Sequence, residues 1–189
     1  MTDNKKEDLR VRRTKKLLSN ALFSLIKKKP FEKVTVCDIC DEAMVHRATF
    51  YSHFADKYAL LTYSIDEHIP LELPEIAADD GQPLQSSKMV EEIIGYIDDN
   101  KEIYTSILKK KNDYSITDRI HDLFEDKLLR LICELEANGR KFPVNSEFLA
   151  RFYAGACLNV VTKWLSGEMQ LSRAELISNL NTLLGLSLY

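Results

Sequence analysis

The feature that most constrains this chain is a helical rhythm of apolar residues running through nearly all of it. Leu18, Ala21, Leu22 and Leu25 recur at spacings of three and four. Ile116, Ile120, Leu123, Phe124, Leu128, Leu131, Ile132 and Leu135 lay one broad apolar face along a second segment. Residues so spaced share one side of an α-helix, and a helix with one apolar side must pack that side against something. No segment alternates apolar and polar residues with the β-branched, turn-bounded character of strands. The expected fold is all-α, with a small N-terminal three-helix head containing a helix-turn-helix and a larger helical bundle after it.

Start and stop signals divide the rhythm into helices expected over about 8–28, 35–42, 46–52, 56–68, 86–98, 101–111, 115–138, 146–166 and 172–186. Lys27, Lys28 and Lys29 suit the negative end of the first helix dipole, and Pro30 stops that helix. Thr35 with Asp38 three residues later reads as an N-cap with an acidic N3 partner. A tight turn near Ala43-Met44-Val45 leads into the short third helix. Pro70 and Pro74 forbid simple continuation of the fourth, and 79–83 reads as a loop. Ser115, Gly139, Pro143, Gly167 and Ser172 punctuate the rest. The head is expected over 1–60 and the larger domain over 61–189, with the boundary inside the 56–68 helix.

Charge separates the same two parts. Residues 1–60 carry 13 basic and 8 acidic side chains, a balance of +5. Residues 61–189 carry 13 and 21, a balance of −8, although the whole chain is only at −3. A basic head on an acidic body suggests that the head alone meets a polyanion such as nucleic acid. No apolar run approaches the roughly 18 residues that span a bilayer, and the N-terminus lacks a secretory apolar stretch, so a cytoplasmic protein without a membrane partner is expected. Cys37, Cys40, Cys133 and Cys157 are then expected as buried thiols rather than disulfides.

The segment 35–53 has the layout of a helix-turn-helix, in which the second helix enters the major groove. Val36, Ile39, Cys40, Ala43, Val45 and Phe50 can close its core. His46, Arg47, Ala48, Thr49, Tyr51, Ser52 and His53 are left to face DNA. Hydroxyls and imidazoles bond phosphates and base edges, and Arg47 alone offers the bidentate fork that matches guanine. A zinc reading of Cys37, Cys40, His46 and His53 fails on spacing, because the gap from cysteine to histidine is far below a finger's dozen residues. Asp118, His121, Asp122 and Glu125 share a helix face opposite the apolar one and read as solvated. No metal or cofactor is expected, and the six glycines are too scattered for a phosphate loop.

VTVCDICDEAMVHRATFYSHFADKYALL resembles the DNA-binding motif of the TetR family, over about residues 10–62. The resemblance implies phosphate contacts from Thr35, Thr49, Tyr51, His53 and Lys57, with Val36, Arg47 and Ala48 near bases. One position departs from the family pattern, which has Gly or Asn where this chain has Met44. A positive φ there would strain methionine. In the second half, NKEIYTSILKK and Trp164-Leu165-Ser166-Gly167 resemble a Gram-positive subgroup. The resemblance implies a homodimer built on the last two long helices and a small-molecule pocket within the central ones.

Those last helices are richer in bulky apolar residues than one buried stripe requires, so Phe148, Val160, Val161, Trp164, Leu180 and Leu184 are expected at the dimer interface. Tyr96, Tyr104, Phe124, Phe152 and Tyr153 are candidates to line the effector pocket. The expected function is an effector-responsive regulator, acting as a repressor on a near-palindromic operator. The rival is a helical module whose body receives a protein partner. An enzyme is disfavoured, since no nucleophile, base and orienting group can be placed together.

Overall fold

The computed structural model describes residues 9–69, 86–108 and 114–187, and these are all-helical. They form two compact units that divide between Glu67 and His68. The expected loop around Pro70, Pro74 and 79–83 lies outside the described residues, as do the expected helix start at residue 8 and the stretch 109–111.

The first unit holds α1 (Leu9–Lys28), a 3-10 turn (Phe31–Lys33), α2 (Val36–Ala43), α3 (Arg47–Tyr51) and α4 (Lys57–His68), whose last residue belongs to the second unit. The 3-10 turn was not anticipated, because Pro30 marks where a helix must stop but not the conformation the chain takes next. Leu18 and Leu22 of α1, Ile39 of α2, Phe50 of α3 and Leu60 and Ile65 of α4 are all closed off from water, as are Phe31 and Val34, and together they supply the head's core. Phe50 touches Phe54, which in turn touches Tyr63, so aromatic edges carry the core from α3 to α4. Val36 and Val45, expected in this core, are only half-buried.

The second unit holds α5 (Ser86–Asp99), α6 (Lys101–Leu108), α7 (Tyr114–Ala137), α8 (Ser146–Leu165) and α9 (Arg173–Ser187). The long α7 packs mainly on α8, and α5 mainly on α9. Ile132 of α7 with Leu149, Ala150 and Tyr153 of α8 forms one core cluster, edged by Leu128, Leu129, Phe142 and Leu184. Gly139 and Gly167 take positive φ where α7 and α8 end, which is the conformation glycine reaches without strain. Asn145 caps α8 by accepting from the Glu147 and Phe148 amides, and Ser172 and Glu175 exchange capping bonds at the start of α9.

Two expectations are corrected. Cys37 and Cys133 are exposed rather than buried, since both fall on outward faces of their helices, while Cys40 is buried and all four are free thiols. The polar face of α7 is not wholly solvated: His121 and Glu125 are half-buried because α8 reaches them, with Arg151 bonded to Glu125. Among the described residues no group of three or more potential ligands is placed to hold a metal.

Candidate nucleic-acid interface

The N-terminus of α2 is held by a complete capping box. The Thr35 hydroxyl accepts from the Asp38 amide at 3.1 Å, while the Asp38 carboxylate accepts from the Thr35 amide at 2.7 Å. Lys29 from the end of α1 closes on the same carboxylate at 2.8 Å. Hydrogen bonds from Lys29 and then Thr35 hold Asp38 well below the usual carboxylate range. A second tie joins the same helices, as Ser24 and Lys28 both donate to Glu42.

The turn after α2 is a Schellman motif. Val45 N–H reaches Cys40 C=O at 2.9 Å and Met44 N–H reaches Asp41 C=O at 3.3 Å. Closing it puts Met44 at φ 54°, ψ 43° with its side chain 92% exposed. The strain anticipated for a methionine in this position is therefore present.

Phe50 anchors α3 from below, being fully buried, and the outer side of the helix carries the candidate contacts. His46, Arg47, Ala48, Tyr51 and Ser52 are exposed, as is Thr35 on the α2 side, whereas Val36, Thr49, His53 and Lys57 are half-buried. The Tyr51 ring stands edge-on to Phe50 at 5.4 Å. Its hydroxyl lies beside the Arg47 guanidinium one helical turn back and favours the charged form of that group. The Ser52 hydroxyl donates to Thr49 C=O, so its proton is already engaged.

Lys57 is placed differently from the others. Its ammonium donates to the carbonyls of Phe31, Glu32 and Val34 at 3.0, 2.9 and 2.8 Å. It also lies 4.6 Å from the centre of the Phe31 ring. Sequence reasoning missed this role, since the partners are main-chain oxygens of an unanticipated turn and leave no side-chain signature.

In the second unit the expected pocket residues do not all come together. Tyr96 and Tyr104 meet edge-on at 6.3 Å, and His68 stacks on Tyr96. Tyr104 is buried, its hydroxyl has no partner among the described residues, and burial pushes its phenol well above the ordinary value. Tyr153 belongs to the α7–α8 core cluster and Phe124 is half-buried. Phe152 points outward and stacks on Phe148. Of the residues expected at a dimer interface, Phe148 is exposed and Val160 and Leu184 are half-buried. Val161, Trp164 and Leu180 are instead buried within this chain's own unit. Trp164 donates its indole N–H to Leu171 C=O at 2.9 Å, which closes the turn between α8 and α9.

The family model for bacterial regulatory proteins of the tetR family matches residues 18–63, and the model for a transcriptional regulator C-terminal region of the TetR type matches residues 85–185. The chain belongs to the TetR family. Solved structures agree in fold. The dihydroxyacetone kinase operon activator DhaS is 21% identical with a TM-score of 0.60, covering 92% of this chain and 96% of its own. A TetR transcriptional regulator from Streptococcus agalactiae is 20% identical with a TM-score of 0.58, over 94% and 97%. NalD, the secondary repressor of the MexAB-OprM efflux pump in Pseudomonas aeruginosa, is 18% identical with a TM-score of 0.60, over 95% and 97%. Among curated proteins no sequence matches. The family and these structural neighbours are transcriptional regulators, and among the described residues no helix is long and apolar enough to cross a membrane.

Proposed function

We propose that the protein is a cytoplasmic, homodimeric, effector-responsive repressor that binds a near-palindromic operator through α3. The observation that carries this reading is the outer side of α3, where His46, Arg47, Ala48, Tyr51 and Ser52 stand exposed above a fully buried Phe50. A rigidly anchored helix with donors on its free side is what a major groove accepts. Thr35, Thr49, Tyr51 and His53 contact phosphates, and Val36, Arg47 and Ala48 lie against base edges. A dimer presents two such helices to groove segments about 34–36 Å apart.

The effector reading is supported by the buried Tyr104 hydroxyl beside Tyr96, which has no partner among the described residues, because buried polar groups are nearly always satisfied and exceptions call for a partner. Effector and operator affinities are then reciprocally linked. The dimer reading is supported by the outward Phe148 and Phe152 of α8.

Binding-site selection with the wild type and Arg47→Ala tests the central claim. The wild type selects a two-fold related sequence. Arg47→Ala loses base preference at one position in each half-site, a bidentate contact being worth about 1–3 kcal/mol. Identical preferred bases in both selections would remove Arg47 from base reading, and no selection at all would remove the DNA-binding function.

A further inference from the structure

A buried hydroxyl almost always has a hydrogen-bond partner, because leaving it unpaired costs all the water it gave up. Tyr104 departs from this rule. The residue is 5% exposed on α6, and its hydroxyl oxygen, itself closed off from water, meets no partner among the described residues. Its surroundings are aromatic and apolar. Tyr96 of α5 meets the Tyr104 ring edge-on at 6.3 Å, and the His68 ring stacks on Tyr96 at 5.6 Å with 25° between the planes. The same two helices, α5 and α6, bury Ile94, Ile97, Ile103 and Ile107. Tyr96 and His68 are only half-buried, so the cluster keeps one side within reach of solvent.

The charge of this cluster narrows what it can hold. Burial, and after it the Tyr96 phenol, pushes the Tyr104 hydroxyl well above its ordinary value, and no carboxylate, ammonium or guanidinium among the described residues contributes to this for either phenol. The Tyr104 hydroxyl therefore keeps its proton at physiological pH and has it to donate. An anion entering here would exchange its water for one neutral donor, and a cation would meet no counter-charge. Burying an unpaired charge costs far more than burying a neutral oxygen that gains a hydrogen bond.

We propose that Tyr96, Tyr104 and His68 form the binding site of a neutral aromatic small molecule whose carbonyl oxygen accepts a hydrogen bond from the Tyr104 hydroxyl. The inference rests on the effector reading above and supplies the chemical class that reading leaves open. Aromatic walls favour a flat ring set edge-on or offset against them, and the single donor fixes which end of the molecule points inward.

Four probes of nearly one shape test this on the full-length protein at about pH 8, where an ordinary histidine is uncharged. They are acetophenone, ethylbenzene, benzoate and benzylammonium. Ligand-observed NMR titration reads their affinities, and thermal melting reads the free protein. The wild type binds acetophenone about tenfold more tightly than ethylbenzene, which lacks the carbonyl, and binds either ion more weakly still. Tyr104→Phe keeps the ring and removes the hydroxyl, so acetophenone falls to the level of ethylbenzene while ethylbenzene binds as before. Because the deleted hydroxyl has no partner in the free protein, this variant melts no lower than the wild type. A lower melting temperature would reveal a hydrogen bond already made within the protein and overturn the proposal without any ligand. Benzoate or benzylammonium binding as tightly as acetophenone overturns it too, as does an acetophenone preference that survives in Tyr104→Phe, or the binding of none of the four. Acetophenone bound with the expected preference but without effect on operator affinity sustains the site and refutes only the effector reading.

Discussion

Met44 and Gly139 do the same job in different ways. Each follows a helix and closes a Schellman motif: Val45 to Cys40 and Met44 to Asp41 in one, Arg140 to Leu135 and Gly139 to Glu136 in the other. Glycine enters the left-handed region freely, whereas a side chain there costs about 1–2 kcal/mol. Because Met44 is almost fully exposed, shortening it removes little packing. Met44→Gly should therefore stabilise the head by about 0.5–1 kcal/mol, after the extra freedom of glycine in the unfolded chain is deducted. The denaturant midpoint of the head's transition measures it, and an unchanged or lower midpoint would show that the methionine is not strained. The strain was legible in advance because Met44 stands where the family places Gly or Asn. The role of Lys57 was not, since main-chain acceptors carry no sequence signal.

At the scale of the element, caps and breakers were the most readable features. Thr35 with Asp38, Ser172, Gly139 and Gly167 mark helix ends that the structure places within a residue or two of expectation, because each acts on the backbone beside it. Which side of α8 or α9 faces inward was harder to read. Both helices are apolar on several sides, and only the packing of α7 and α6 on α8 and of α5 on α9 decides that Val161, Trp164 and Leu180 turn inward while Phe152 turns out. Caps also set how the head responds to acid. Asp38 and Glu42 both sit below their ordinary values of 3.8 and 4.5, chiefly through hydrogen bonds from Lys29 and from Ser24 respectively. A carboxylate depressed in the folded state contributes stability that is complete above its unfolded value and is lost as pH falls through the folded one. The head should keep this contribution above about pH 5 and lose it progressively below about pH 4. Asp38→Asn should lower head stability at pH 7 and flatten its decline in acid. Urea titrations of both proteins at pH 7 and pH 3 would show this, and parallel losses would exclude Asp38 as a source.

For the whole molecule, the unexplained expense is an aromatic pair in water. Phe148 and Phe152, one turn apart on α8, are 63% and 59% exposed with their rings stacked at 6.5 Å, and Leu183 of α9 is equally exposed. Burying each phenylalanine in a two-fold interface contributes about 1.5–3 kcal/mol, and the symmetry counts every residue twice. Phe148→Asp with Phe152→Asp should raise the dimer dissociation constant by at least about a hundredfold. Light scattering would then find monomers, and operator affinity would fall because two linked heads become separate ones. A variant that remains dimeric at low concentration would place the interface elsewhere.

Trp164 has a consequence for what an experimenter sees. It is the chain's single tryptophan, enclosed near the α8–α9 turn with its N–H on Leu171 and the Lys101 ammonium over its ring. Its emission is thus a local gauge of the larger unit, and the head has no tryptophan of its own. Melting followed by tryptophan fluorescence is optically blind to unfolding confined to residues 9–67, while far-ultraviolet dichroism counts the peptide bonds of both units. Where the two units melt apart, the curves from these probes separate. The gap between them is then a direct readout of the head, obtained without any label.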